Sequence, residues 1–169
     1  RITFRGTTSS NYWNTLYLQH GGGSESSFSY CNFSDAQTAL YLRIFNESGV
    51  MTTAISSCTF SNCTGSAIYG DSQGTSYYGL QSPSINPAIT NCRFVSCTNG
   101  CQFYIHGYHS PQSGNAVGSA SPTIKNCIFS SLAGPALSYV VGAYPGASYP
   151  AVVNCLIRQC PTGILVADP

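Results

Sequence analysis

Charged residues are scarce in this chain, and their scarcity excludes one large class of function. Only 7% of the 169 residues are charged and the formal net charge is +1, whereas about 25% is usual in globular proteins. Proteins that bind nucleic acid displace counterions from phosphate with clustered Lys and Arg side chains. The six basic residues here are scattered and include a single lysine, Lys125. We therefore expect no nucleic acid among the partners of this protein.

Long apolar runs are also missing. No segment approaches the roughly 20 apolar residues of a membrane-spanning helix, so we expect no membrane span. No secretory leader is recognisable and the chain starts at Arg1, not at a methionine. We interpret it as a processed mature chain or as an excerpt of a longer one. Neutral polar residues and 12 tyrosines are abundant instead, a composition that favours an extracellular or cell-surface location.

An eleven-residue pattern recurs along the chain and is most complete at residues 87–97, PAITNCRFVSC. Five cysteines anchor successive copies, 27 to 35 residues apart: Cys31, Cys58, Cys92, Cys127 and Cys155. Asparagine precedes three anchors, at Asn91, Asn126 and Asn154, and isoleucine stands three positions before two of them, at Ile89 and Ile124. Two positions after the anchors are Phe33, Phe60, Phe94, Phe129 and Ile157. Self-similarity at this period predicts a solenoid.

Each repeat predicts strands and not helices. Its two apolar runs, such as AITNCRF and CQFYI, are short, rich in β-branched and aromatic residues, and bounded by Gly, Pro and Ser. If Ile89, Cys92 and Phe94 all face the core, the chain must turn at Asn91, where asparagine tolerates left-handed backbone angles. One coil is then a strand, a corner at Asn, a strand, a turn near the second Cys and Gly, a third strand and a loop.

Stacked coils place equivalent side chains about 4.8 Å apart, in ladders along the solenoid axis. Ile2 and Phe4 match the Cys and Phe positions of one further coil, so we expect about six coils. The predicted fold is all-β: a single-stranded parallel β-helix formed by residues 1–169 as one domain. We expect its ends to be uncapped, because RITFRG starts within a coil and GILVADP stops after a second-strand run.

The segment SCTFSNCTGSAIYG, residues 57–70, resembles the repeats of right-handed parallel β-helix proteins of the pectate-lyase-like superfamily. The resemblance is to the surface and sheath proteins of that superfamily more than to its enzymes, and it implies a right-handed solenoid. The enzymes use clustered carboxylates, as glycoside hydrolysis generally requires. No two of the five acidic residues here share a repeat position on adjacent coils: Glu25, Asp35, Glu47, Asp71 and Asp168. We therefore expect no enzymatic activity and no cofactor.

Two histidines in HGYH, residues 106–109, are the nearest approach to a metal or acid–base site. We place them on a loop, with Asp71 on the loop one coil below. Surface histidines on a variable loop are the simpler interpretation, and we expect no metal site.

Nine cysteines are an odd number, so at least one lacks an intrachain partner if the others pair. The C-x4-C spacing is not that of zinc ligands. The simpler interpretation is that cysteine fills the inner ladder as a small apolar residue. The alternative is a disulfide across a coil or between neighbouring coils, for which the remaining cysteines are candidates: Cys63, Cys97, Cys101 and Cys160.

Loops of unequal length follow the last strand of the coils, and tyrosines lie in or near them: Tyr77, Tyr78, Tyr108, Tyr144 and Tyr149. Tyrosine is enriched at protein interfaces and stacks on sugar rings. Subunit contacts, glycan binding and simple loop packing are therefore all open for these residues. Glycosylation sequons of the form N-x-S/T begin at Asn32, Asn46 and Asn62.

Uncapped ends favour a structural role, because a solenoid without polar caps exposes its core and unpaired strand edges. Either copies of the chain stack end to end, or neighbouring coils of a longer protein cover the ends. We expect a β-helical subunit that self-assembles into an extracellular filament, fibre or sheath, with lateral contacts from the loops. An adhesin-like cell-surface module that binds glycan or protein is the alternative, and a polysaccharide lyase or hydrolase is a third.

Overall fold

The computed structural model describes residues 1–6, 12–19, 25–45, 47–75, 80–111, 114–142 and 146–167. These residues form 23 short strands and no helix. Parallel pairing between successive coils links the strands into four sheets, beside which lies one antiparallel hairpin. The predicted all-β, parallel β-helix is therefore confirmed. Among the residues described, no helix has the length and hydropathy of a membrane span.

Two six-stranded sheets contain the six predicted coils. The Phe sheet begins at or just after the anchor cysteines: β1 (Ile2–Arg5), β4 (Cys31–Ser34), β8 (Thr59–Ser61), β12 (Arg93–Val95), β18 (Ile128–Ser130) and β22 (Leu156–Arg158). The long sheet is the next wall along the chain: β2 (Leu16–Gln19), β5 (Leu40–Phe45), β9 (Ser66–Gln73), β13 (Asn99–His106), β19 (Pro135–Val141) and β23 (Thr162–Ala167).

Two smaller sheets complete the walls of the solenoid. The Ile sheet precedes the anchor cysteines: β3 (Ser26–Ser29), β7 (Thr53–Ser56), β11 (Ala88–Thr90), β17 (Thr123–Lys125) and β21 (Ala151–Val153). A fourth sheet precedes the Ile sheet: β6 (Gly49–Met51), β10 (Pro83–Ile85), β16 (Ser119–Ala120) and β20 (Ala147–Ser148). The hairpin of β14 (Tyr108–Ser110) and β15 (Gly114–Ala116) is inserted between β13 and β16.

The fourth sheet corrects the sequence-based prediction, which assigned a loop to the whole stretch between the long sheet and the next proline. Met51, Ile85 and Ala120 pair in register there, and all three are buried. Their side chains close the fourth side of the core, and parallel pairing with the neighbouring coil holds the strands in place. Four of the coils therefore have four walls where the sequence predicted three strands and a loop.

Two corners separate the Ile, Phe and long sheets, and one residue with positive φ forms each corner. The first corner has φ between 51° and 56° at Tyr30, Ser57, Asn91, Asn126 and Asn154, in agreement with the predicted corner at asparagine. The second corner lies one residue before the second Cys position, at Asp35, Asn62, Ser96, Ser131 and Gln159. Asn and Asp are several-fold enriched in this backbone region. A single corner residue allows the side chains on both sides of it to point into the core.

The core consists of parallel ladders of equivalent side chains. Phe4, Phe33, Phe60, Phe94 and Phe129 stack with ring centroids 4.5 to 5.0 Å apart and ring planes within 5° of parallel. Ile157 pairs in register with Phe129 and continues this column. Aromatic pairs contribute about 0.5–1.5 kcal/mol beyond the area that they bury. The Phe ladder is therefore a major source of cohesion between coils.

Candidate functional site

The structure places the five anchor cysteines in one column on the inner side of the first corner. Each thiol donates to the carbonyl two residues earlier, as from Cys92 Sγ to Thr90 O at 3.2 Å and from Cys127 Sγ to Lys125 O at 3.3 Å. The carbonyl of Thr90 also accepts from the backbone N–H of Ser57 at 2.9 Å. The thiols thus add weak hydrogen bonds at the corners, a structural use of cysteine.

The four cysteines proposed for disulfides lie in two different places. Cys63, Cys97 and Cys160 follow the second corner, and Cys97 Sγ lies 3.5 Å from Val95 O. Cys101 is fully buried in β13, where burial raises its pKa well above the ordinary thiol value. All nine cysteines are free thiols in this structure. Disulfide formation therefore stays a prediction, to be tested by chemical labelling.

Asn91, Asn126 and Asn154 form an outer column at the first corner. The side-chain amide of Asn154 donates to Asn126 Oδ1 at 2.8 Å, and that of Asn126 donates to Asn91 Oδ1 at 3.3 Å. These bonds run along the axis and link three successive coils. The column supports coil stacking and offers no catalytic group.

Among the tyrosines predicted as contact residues, the structure describes only two. Tyr108 lies in β14 and is 40% exposed, and Tyr149 follows β20 and is 76% exposed. Tyr77, Tyr78 and Tyr144 lie outside the described residues. The contact function of these tyrosines therefore remains a prediction.

The sequons differ in accessibility. Asn62 forms the second corner of its coil and is exposed, with its amide 3.4 Å from Asp35 Oδ1. Asn32 is half-buried in β4 and accepts a hydrogen bond from Nη2 of Arg1. Asn46 lies outside the described residues. Of the two that are described, Asn62 is the better presented acceptor for a glycan.

The outward side of the long sheet carries a cluster that the sequence did not predict. Tyr17, Tyr41 and Tyr69 share one register column on β2, β5 and β9. Their rings meet edge to face, with centroids 5.0 Å apart in both pairs and interplanar angles of 82° and 86°. The neighbouring column contains Arg43, Asp71 and Tyr104 on β5, β9 and β13. We call these six outward side chains the tyrosine face.

Asp71 lies at the centre of the tyrosine face, in β9, and not on a loop as the sequence analysis placed it. The hydroxyl of Tyr41 donates to Asp71 Oδ2 at 3.1 Å, and Arg43 Nε lies 3.3 Å from the same oxygen. Despite that distance, Arg43 Nε makes no hydrogen bond, so the pair is held by charge. The Arg43 guanidinium also lies 4.7 Å from the ring centroid of Phe45, within cation–π range.

Burial dominates the electrostatics of the tyrosine face. Asp71 is 8% exposed, and desolvation raises the pKa of its carboxyl, although the Tyr41 hydrogen bond and the Arg43 charge oppose that shift. Burial and the Asp71 charge raise the pKa of Tyr69 to about 12. The same two causes raise the pKa of Tyr41. Both phenols are therefore neutral at physiological pH, and Arg43 and Asp71 balance each other.

The two histidines lie in different elements. His106 ends β13 and pairs in register with Gln73, whose Nε2 is 3.5 Å from His106 Nδ1. His109 lies in β14, where its Nδ1 contacts Asn115 Oδ1. The predicted loop position is therefore wrong for His106, which belongs to the long sheet. Within the part of the chain that the structure describes, no group of three His, Cys, Asp or Glu side chains could hold a metal ion.

Comparison with known proteins bears on the architecture alone. A family model described as "Right handed beta helix region" matches residues 1–168. No curated protein and no solved structure matches the chain.

Proposed function

Because the chain belongs to the right-handed β-helix family, we propose that it is a structural subunit whose copies stack into an extracellular filament, fibre or sheath. One observation carries the proposal. Ladder side chains that are buried in inner coils are exposed in the coil formed by residues 151–167. The low charge and the abundance of tyrosine support an extracellular or cell-surface location.

Equivalent residues of β19 and β23 show the difference in exposure. Leu137 and Tyr139 of β19 pair with Ile164 and Val166 of β23. Leu137 and Tyr139 are 0% and 1% exposed, whereas Ile164 and Val166 are 51% and 70% exposed. Burying such side chains under another coil is favourable by about 25 cal/mol per Å² of apolar surface. A further coil, from a second copy or from a continuation of the same protein, would bury Ile164 and Val166.

The first coil presents the same ladders from the other side. Ile2 occupies the register position of Cys31 and is 61% exposed, compared with 3% for Cys31. A second copy whose β1 and β2 pair with β22 and β23 would continue the parallel register by strand addition. The two contacting surfaces differ, so the interface is heterologous, and repeating it generates an open filament.

Lateral contacts between such stacks would come from the loop tyrosines, of which Tyr108 and Tyr149 are exposed. An adhesin-like module that binds glycan or protein through these tyrosines is the alternative function. We assign the chain a structural and not a catalytic role under either proposal.

The stacking proposal is tested by the size of the purified chain as a function of concentration. Light scattering and electron microscopy should show elongated assemblies that grow with concentration. Val166→Asp places a charge on the inward side of β23 and should keep the chain monomeric. Leu165→Asp is the matched control, because Leu165 pairs in register with Ser138 on the outward side of the same strand.

The control should assemble like the wild type. Circular dichroism would establish that both variants retain the β-solenoid. Wild-type chain that stays monomeric at every concentration, or two variants that assemble equally well, would contradict the proposal.

A further inference from the structure

Two buried thiols from successive coils, Cys63 and Cys97, lie one above the other at the second corner. Each follows a corner residue whose φ is 54°. The Sγ of Cys63 lies 3.8 Å from Ser61 O, and that of Cys97 lies 3.5 Å from Val95 O, the carbonyl two residues earlier in both cases. Equal backbone and side-chain geometry on stacked coils keeps the two thiols parallel, at a spacing of about 4.8 Å.

The pair is isolated within its column and lies beside a surface groove. Ala36 and Leu132 occupy the equivalent positions in the coils on either side, as the bonds from Thr64 N to Ala36 O and from Ala133 N to Cys97 O establish. Cys63 and Cys97 are among the residues that line the groove, whose volume is about 340 Å³. A small ion in the groove therefore meets two thiols and no third one.

Parallel thiols fit a disulfide poorly. The coil spacing permits the Cα separation of a disulfide, but the bond needs a Cβ–S–S–Cβ torsion near ±90° and sulfurs about 2.05 Å apart. Parallel side chains on stacked coils give a torsion near zero. Closing a disulfide would therefore require one side chain to leave its rotamer. The arrangement is better suited to a group that fits between the two sulfurs.

A metal ion with two ligands in line fits that gap. Metal–thiolate bonds are about 2.3 Å long for Zn, so two bonds of that length in line span about 4.6 Å. This length is close to the coil spacing of about 4.8 Å. Because side chains stand roughly perpendicular to a sheet, an ion on the line between the sulfurs meets each Cβ–S bond at nearly a right angle, which sulfur favours.

The number and the softness of the ligands select the ion. Soft thiolates favour Cu(I), Zn(II) and iron–sulfur clusters, but zinc usually takes four ligands and the clusters take four side chains. Among the residues that the structure describes, no group of three His, Cys, Asp or Glu could hold a metal ion. Cu(I), in contrast, is stable with two thiolates in line.

From this geometry we propose that Cys63 and Cys97 bind one Cu(I) ion in a linear, two-coordinate site. Two S–H bonds break and two Cu–S bonds form, both protons pass to water, and copper stays Cu(I). Metal binding at thiols generally releases protons in this way. The hydrogen bond from the Cys63 thiol lowers the pKa of Cys97, which favours loss of the first proton. The C-x4-C spacing gave no sign of the site, because its two thiols come from different repeats.

Competition with the chelator bicinchoninate for Cu(I), without oxygen, tests the proposal. The host is the reduced full chain with Cys155→Ala and Cys160→Ala, because these two thiols are partly exposed and could bind copper themselves. The host should take one equivalent of Cu(I) from the chelator. X-ray absorption at the copper edge should then show two sulfur neighbours in a linear arrangement.

Substitutions in the host locate the ion. Cys97→Ala should retain the fold, because alanine already stands at the equivalent position as Ala36. Loss of a residue that only supports the ligands costs about 10–100-fold in metal affinity, so loss of a ligand should cost at least about 100-fold. Cys127→Ala is the matched control: it removes a buried thiol of the first-corner column and should bind Cu(I) like the host. Circular dichroism verifies the fold of each variant.

Four results would overturn the proposal. The host could leave all Cu(I) with the chelator, Cys127→Ala could weaken binding as much as Cys97→Ala, or the absorption spectrum could show three sulfur neighbours. Mass spectrometry of the unreduced wild type could also find Cys63 and Cys97 joined in a disulfide. None of these results depends on whether the chain stacks with copies of itself.

Discussion

Two coils of this solenoid share one sequence pattern and differ in what surrounds them. The coil that contains β11, β12 and β13 has neighbours on both sides, whereas the coil that contains β21, β22 and β23 has one neighbour among the residues that the structure describes. Phe94 and Cys92 are buried in the first coil, and the equivalent Ile157 and Cys155 are partly exposed in the second. The pattern thus sets which residue type occupies a position, and the neighbouring coils set how much that residue stabilises the fold.

Thiol reactivity should show this difference most strongly. Cys155 and Cys160 are partly exposed, and the other seven cysteines are buried. Buried groups react only through openings that cost several kcal/mol, so we expect alkylation by iodoacetamide to be about 1,000-fold faster at Cys155 and Cys160. Mass spectrometry of the native protein at successive times measures these rates.

Coil stacking would protect the same two thiols, so their labelling should slow as filaments form. Equal alkylation rates at all nine cysteines would contradict the expected difference in burial between the coil of residues 151–167 and the inner coils. Alkylation after unfolding without reductant also tests the disulfide prediction. Nine labels would exclude disulfides, and fewer would reveal them.

Truncation of the Phe ladder should have the next largest effect. Phe94→Ala removes a fully buried ring between two stacked neighbours and should lower the free energy of unfolding by about 3–5 kcal/mol. Ile157→Ala changes the same ladder position in the coil that is covered on one side, and it should cost about 1–2 kcal/mol. Urea titrations of both variants measure the two losses. Similar losses would show that both coils contribute equally to stability.

Two glycines at one register position allow a smaller test. A Cβ at Gly100 would overlap the carbonyl oxygen of Ala136 and lie 2.7 Å from Cδ1 of Phe129. At Gly163 the nearest atom would be Cδ1 of Ile157 at 3.9 Å. Gly100→Ala should therefore cost about 1–3 kcal/mol through overpacking, whereas Gly163→Ala should leave the urea midpoint nearly unchanged. A marked loss at Gly163 would indicate that another coil covers it.

The pH dependence of stability should show the smallest effect. Asp71 is buried in β9, and its register column ends in the uncharged Ala167 on β23. Because the folded-state pKa of Asp71 is raised, the folded protein holds this proton more tightly than the unfolded chain. The stabilisation is greatest below the unfolded pKa of about 4 and is lost as the pH rises through the folded value.

Asp71→Asn should remove the pH-dependent part of the stability that comes from the Asp71 carboxyl. Urea titrations of both proteins between pH 3 and 7 measure it. The wild-type midpoint should fall relative to that of the variant as the pH rises. A wild-type midpoint that rises with pH relative to the variant would show that the ion pair with Arg43 outweighs desolvation.

The sequence predicted the features that repeat in every coil. Anchor cysteines, aromatic ladder residues and corner asparagines have the same surroundings in successive coils. The same residue types therefore recur at a regular spacing in the sequence. The fourth sheet was missed because its signal is a single buried residue per coil, such as Ile85 or Ala120, next to insertions of unequal length. A search for one apolar residue two positions before each proline could have found part of it.

The tyrosine face was missed for a different reason. Its members lie on the outward side of the sheet beside neighbours that change from coil to coil, so Tyr69, Gln102 and Ser138 occupy one column without sharing a residue type. Asp71 was assigned to a loop because the strand that contains it, SAIYGDSQ, continues past a glycine into polar residues. Pairing with β5 and β13 holds this polar end in the sheet, and such pairing cannot be read from one segment alone.

The interval between the two corners has a consequence for how this molecule can change in length. The corner residues are five positions apart in the five coils whose two corners the structure describes, from Tyr30 and Asp35 to Asn154 and Gln159. Inserting one residue in this interval would turn inward side chains outward. The number of residues between the two corners is therefore fixed. New segments can be accommodated only after the long sheet, where the connections already differ in length. Deletion of Val95 should thus disrupt folding, whereas a peptide grafted between β19 and β20 should be displayed on an intact solenoid.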